Sequence, residues 1–438
     1  MLASVGLHID QAPPLHLPFR FFGAALVFAL LTGFGLLFWG NELLIAPLLP
    51  VTVATVHGAV LGWLLMSVMG AMIQMIPVLA GIPVPWPQGV PWIHGIFISG
   101  VVCMGLGLVT GHTWILLSAM VGLGMALFGF LVPIALALIR APAKHPTVNA
   151  MRMAMMALTG TVLLGVLFLG EYAHGFLDLD RHTLVGIHLT WGLLGCMGSL
   201  IIGVSWQVLP MFYMTPAFPS GSASWILRGM GIFLLVMPMA LVWSSLEDPW
   251  MLYVASLPGL GAMGWYGIET YRMMSQRKRT FADATLRFWQ LGFVCGVMAL
   301  CLLMLWPLVS DERLRFLFGI LYAVGWVGSI ITGMLHKIIP FLVWFHRFSP
   351  AAGLQEIPMM DDLSPSRVVN VQVYVHAGSI VILSMGVVTG WDWAVRFGGV
   401  GLMVVAGVSL YALWFALRIK PPEIPVMPDF ASFFKPPA

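Results

Sequence analysis

Charge is scarce in this chain: Asp, Glu, Lys and Arg make up 8% of 438 residues, and 60% are hydrophobic. A soluble domain carries about a quarter charged residues, so that class is excluded. A net charge of +3 is too small to suggest a nucleic-acid partner. The four cysteines, Cys103, Cys196, Cys295 and Cys301, lie in apolar runs and form no CxxC pair, so they read as small apolar packing residues. No CxxCH haem-attachment motif and no phosphate-binding nucleotide loop occurs. Residues 1–18 lack a basic stretch followed by a short apolar core, so no cleavable signal is expected.

What the chain has is long apolar runs. Twelve are expected to span a bilayer, at 19–40, 53–80, 91–111, 114–139, 148–170, 183–213, 224–246, 250–273, 284–309, 314–345, 371–391 and 393–419. In hydrocarbon each backbone group must find its partner within the segment, which makes these runs helices. The expected fold is an all-α integral membrane protein forming one membrane domain over 1–438. Of the 20 Lys and Arg residues, all but Arg181, Arg313, Arg315 and Arg396 fall on one side. The positive-inside rule then places both termini in the cytoplasm, as expected for a bacterial inner membrane protein.

The stretch TVHGAVLGWLLMSVMGAMIQMIPVLAG, residues 55–81, carries Gly62, Gly70 and Pro77. The same spacing returns at Gly195, Gly203 and Pro210, and again at Gly325, Gly333 and Pro340. Arg20, Arg152 and Arg287 open equivalent segments 132 and 135 residues apart; Arg140, Arg272 and Arg418 close others. Trp92-Ile-His94, Trp225-Ile-Leu-Arg228 and Tyr374-Val-His376 mark a further set. These markers predict three tandem four-helix units with pseudo-threefold symmetry, over about 19–140, 148–273 and 284–419. A longer loop, 347–370, stretches the third.

Ionisable residues inside hydrocarbon are costly and point to function. His57 and His188 lie at similar depth on the second helices of units one and two, and imidazole is a frequent ligand of haem iron and copper. The bland alternative is two interhelical hydrogen bonds. His336 and His376 lie near the other surface and form a second candidate metal pair, for which packing is the stronger reading. Gln74, Gln207 and Lys337 each precede a repeat proline by three residues. Their expected role is to cover the carbonyl that proline frees, with a polar path for protons as the sharper option. The 30 methionines are scattered at packing positions and read as core filler.

Three four-helix units with a histidine early in the second span resemble subunit I of the haem-copper oxidase superfamily, including nitric oxide reductases. The opening PFRFFGAALVFAL is similar to the start of NnrS-like membrane proteins. The resemblance implies that His57, in TVHGAVLGW, holds a haem b; His188 is the second candidate cofactor ligand by its shared depth and equivalent helix, whereas the family pairs its second span with the tenth, and copper is a further candidate. It does not extend to the oxygen-reducing centre. The tenth span reads RFLFGILYAVGW, without the family's His-x-His, and the seventh reads WILRGMGIF, without its His-His pair. Terminal oxidase activity is therefore not expected. The expected role is electron transfer, nitric oxide or metal handling, or that of a membrane subunit beside other respiratory subunits or a cytochrome. The alternative is a cofactor-free transporter or structural membrane subunit.

Overall fold

The computed structural model describes residues 11–142, 145–175, 180–244, 250–279, 281–305 and 311–422. Lys144, Asp178 and the far ends of the segments expected at 224–246 and 284–309 lie outside them. The long helices are α1 (His16–Trp39), α2 (Pro50–Ala80), α3 (Val90–Thr110), α4 (Thr113–Arg140), α5 (Pro146–His174) and α6 (Arg181–Tyr213). They continue as α7 (Ser220–Ser244), α8 (Trp250–Ser275), α9 (Ala284–Leu305), α10 (Glu312–Ala351), α11 (Ser366–Thr389) and α12 (Asp392–Arg418). The fold is all-helical, with no strand among the described residues.

Eleven of these helices are long and apolar enough to cross a membrane. The exception is α8, expected as a span, which forms a helix of 26 residues but is not among the eleven. Its sequence is diluted by Gly, Trp and Tyr and ends with Glu269 and Arg272, which pair at 3.2 Å as their spacing predicts. Large apolar side chains point outwards: Leu235 is 71% and Met239 70% exposed. His376, Gln372 and Ser329 are buried. That distribution suits a lipid solvent and an integral membrane protein.

Three helices share an unusual form. In α2, α6 and α10 the α-helix loosens into a π-helical stretch, at Gly58–Leu65, Thr190–Gly198 and Ile320–Gly328. A 15-residue α-helical segment follows each, Met66–Ala80, Ser199–Tyr213 and Ser329–Val343, and each contains its repeat proline. A π turn admits an extra residue and re-aims the side chains beyond it. The repeat glycines lie where helices touch. A Cβ at Gly62 or Gly70 would meet Phe28 or Phe21 of α1; at Gly195 or Gly203, Ala157 or Ala150 of α5; at Gly325 or Gly333, Cys295 or Phe288 of α9. All six would fall under 3.0 Å, so only glycine lets these helices approach.

The helices pack as hairpins α3–α4, α7–α8 and α11–α12, while α4 touches α5, α8 touches α9, and α12 returns along α1. In the middle the π-helical stretches meet. Tyr322 of α10 donates a 2.9 Å hydrogen bond to the Leu193 carbonyl of α6. Gly328 lies against Trp63 of α2, where a Cβ would come within 2.8 Å of its ring.

Candidate functional site

His57 closes the first α-helical part of α2, directly before the π turn. Its Nδ1 lies 2.8 Å from the Val53 carbonyl, one turn back. A carbonyl only accepts, so Nδ1 carries the proton and Nε2 keeps the lone pair that a metal requires. His188 occupies the matching part of α6, in the α-helical stretch Arg181–Leu189 that Asp180 caps by accepting from the His182 amide at 3.0 Å. That cap is exposed, and the Thr183 hydroxyl and these amides hold the Asp180 carboxyl below its usual range.

The two imidazoles face each other across the α2–α6 junction, with ring centroids 6.2 Å apart and planes 37° from parallel. Phe168 of α5 packs edge-on against His188 at 5.6 Å. Gly165 leaves room beside it, since a Cβ there would lie 3.4 Å from the His188 Cε1. Nδ1 of His188 is buried beside the Thr161 backbone without an aligned hydrogen bond. One metal ion bound linearly by two imidazole nitrogens at about 2 Å each would hold the ring centroids about 6 Å apart. The spacing and the fixed His57 tautomer therefore fit a shared ion, whether haem iron or copper. Both rings are half-buried.

The second candidate pair is arranged differently. His336 of α10 and His376 of α11 flank the Phe288 ring of α9, at 6.2 and 5.7 Å. Each has its own partner: His336 Nε2 lies 2.7 Å from Gln372 Oε1, and His376 Nε2 lies 3.0 Å from Ser329 Oγ. Gln372 donates in turn to the Val405 carbonyl and Ser409 Oγ of α12, both at 2.7 Å. Among the described residues, no group of three or more His, Cys, Asp or Glu could hold a metal ion. His94 of α3 repeats part of this pattern, with Nε2 2.9 Å from the Arg20 carbonyl and its ring against Phe21.

Lys337 does not cover a proline-freed carbonyl. Its Nζ reaches Asp283 Oδ2 at 2.7 Å and Asp361 Oδ1 at 3.8 Å, and Arg279 also approaches Asp361, at 3.5 Å. Tyr213 at the end of α6 donates to Asp283 at 3.2 Å. Burial pushes the Asp283 carboxyl up, but hydrogen bonds from Lys337 and the Leu286 amide, the Lys337 charge and the Tyr213 hydroxyl hold it below the usual carboxylate range. A carboxylate supplied by a loop outranks a nearby backbone carbonyl as a partner for ammonium. Gln74 is buried with Oε1 unpartnered, so it does not repeat the arrangement of Lys337. Sequence reasoning overlooked Gln372, Ser329 and Asp283. The one local signal was Gln372, four residues before His376 and so on the same helix face.

No protein-family model and no curated protein matches this chain.

Proposed function

We propose that the chain is a divergent haem-copper-oxidase-like membrane protein that binds a b-type haem through His57 and His188 and serves electron transfer. The observation that carries this reading is the 6.2 Å separation of the two imidazoles, contributed by matching places on α2 and α6, each just before or at the start of a π turn. A haem in this place would supply a reversible one-electron couple. The chain's own part is to hold His57 in one tautomer through the Val53 carbonyl and to keep the His188 ring upright against Phe168. Copper is the second candidate ion for the same nitrogen pair. His336 and His376, with their own side-chain partners, belong to packing or proton chemistry on this reading.

The architecture we propose is twelve spans in three units related by an axis along the membrane normal. The π turns at matching places in α2, α6 and α10 support it, as does the return of α12 to α1. The basic-residue bias supports cytoplasmic termini in a bacterial inner membrane. Nitric oxide or metal handling, or a subunit role beside a cytochrome, would use the same site. Purified protein, grown with haem and copper available, tests the reading by its bound haem and metal content. Material lacking both would favour the cofactor-free transporter or structural subunit.

A further inference from the structure

Helices α9, α10 and α11 close together at one end and part at the other. Where α9 and α11 begin, Arg287 reaches Tyr374 Oη at 3.3 Å and Asn370 Oδ1 at 3.5 Å, and the Phe288 ring lies 5.7 Å from that of His376. Toward their far ends the two helices leave a groove of about 500 Å³ over the start of α10. Val297 and Cys301 of α9 form one wall, Met385 and Val388 of α11 the other, and Leu317 and the buried Leu321 of α10 the floor. Val297 is 59% and Val388 54% exposed, so the groove opens onto the outward face of the bundle, which meets lipid. Its size falls within the usual range of ligand sites, about 300–1,000 Å³.

Arg313 stands at the mouth of this groove. It precedes Leu317 by one helical turn, on the same face of α10. Its Nη1 donates to the Val388 carbonyl at 3.1 Å, which holds the guanidinium over the opening. Of the four arginines on this side of the molecule, three have carboxylate partners. Arg181 pairs with Glu171 at 2.7 Å, Arg315 with Glu312 at 2.6 Å and Arg396 with Asp392 at 2.6 Å. Among the described residues Arg313 has none, and the neighbouring Asp311 carboxylate instead accepts from the Arg313 backbone amide at 2.9 Å as the cap of α10. The cation left without a counter-ion is thus the one beside the apolar groove.

We propose that the groove holds one acyl chain of a membrane phospholipid whose phosphate lies on the Arg313 guanidinium. Apolar contact alone does not draw a lipid out of the bilayer, because its tails are as apolar as the side chains that line the groove. The phosphate supplies the preference, since a guanidinium offers it paired, charge-assisted N–H donors. The groove then fixes the chain that hangs below the headgroup. The site requires both parts, a chain for the groove and a phosphate for the arginine, and it is independent of any cofactor at His57.

The test is native mass spectrometry of the full chain, purified in detergent, delipidated and titrated with palmitoyl-oleoyl phosphatidylethanolamine. The comparison ligand is the diacylglycerol with the same two chains, which lacks the phosphate. The parent should bind the phospholipid more tightly than the diacylglycerol by about fivefold or more, the worth of one basic residue at a lipid surface. Arg313→Gln should remove that difference by weakening the phospholipid alone. Cys301→Trp, which places an indole in the groove, should weaken both ligands. Arg313 and Cys301 are exposed, so neither variant strips a core contact. Arg315→Gln, a neighbour already paired with Glu312, should change neither affinity. Equal affinity of the parent for the two ligands, phospholipid binding unchanged in Arg313→Gln or Cys301→Trp, or an equal loss in Arg315→Gln would overturn the proposal.

Discussion

The two histidine pairs are built from the same side chain and differ in what occupies the second nitrogen. At His57 and His188 the rings face each other from α2 and α6, and His57 Nδ1 is tied to a backbone carbonyl so that Nε2 is left for a ligand. At His336 and His376 each Nε2 is taken by a side chain of the adjacent helix, and Phe288 packs against both rings. Burial alone does not mark a metal ligand; in the more deeply buried pair both Nε2 atoms already have side-chain partners, while His376 Nδ1 has none. Two imidazoles with ring centroids 6.2 Å apart suit ligation of one ion, whereas two with amide and hydroxyl partners suit hydrogen bonding.

The largest effect that could break this contrast is on cofactor content. His57→Ala should lower bound haem per protein by tenfold or more, since loss of even a supporting residue about a ligand typically costs about tenfold or more in affinity. His336→Ala should leave haem content unchanged. A pyridine haemochrome assay on both variants reads the difference, and equal losses would erase the distinction between the pairs.

Stability should order the pairs the other way. His336→Ala leaves the Gln372 oxygen unpaired and opens space in a packed core, so it should cost about 2–3 kcal/mol. Replacing the group together, with Ile at 336, Val at 372 and Leu at 409 as in the first unit, should restore or exceed the parent melting temperature. A triple variant less stable than His336→Ala would mean that the units are not packed alike.

The smallest effect concerns the Asp283 pair. Its folded-state pKa is depressed, so its contribution is present above the unfolded carboxylate value of about 4 and is lost as pH falls through the lower folded value. Asp283→Asn should therefore lower the melting temperature by a few degrees at pH 7. The gap between parent and variant should close progressively below about pH 4. A gap that is constant with pH would assign the loss to packing instead of charge.

Much of the fold was legible because lipid permits so few structures. Hydropathy placed the helices, and the glycine spacing marked helix contacts that the structure puts in the expected places, at Gly70 against Phe21 and Gly333 against Phe288. The π turns were not legible, since they depend on how three helices crowd together and have no period of their own. At the site, His57 and His188 stood out as ionisable groups in apolar runs, and their shared depth followed from position. Their facing geometry depends on where α2 and α6 stand in the bundle, which no local pattern encodes. Lys337 was misjudged because its partner Asp283 lies 54 residues earlier in a connecting loop, which no helical spacing reveals.

The central claim is that His57 and His188 hold one haem iron between them. The most direct test is the visible spectrum of purified protein reduced with dithionite, taken for the parent and for His188→Ala. The account predicts the sharp α-band of a six-coordinate, low-spin b-type haem in the parent, and its replacement by a broad five-coordinate spectrum in the variant. A parent without a haem spectrum, or a low-spin spectrum that survives His188→Ala unchanged, would contradict it.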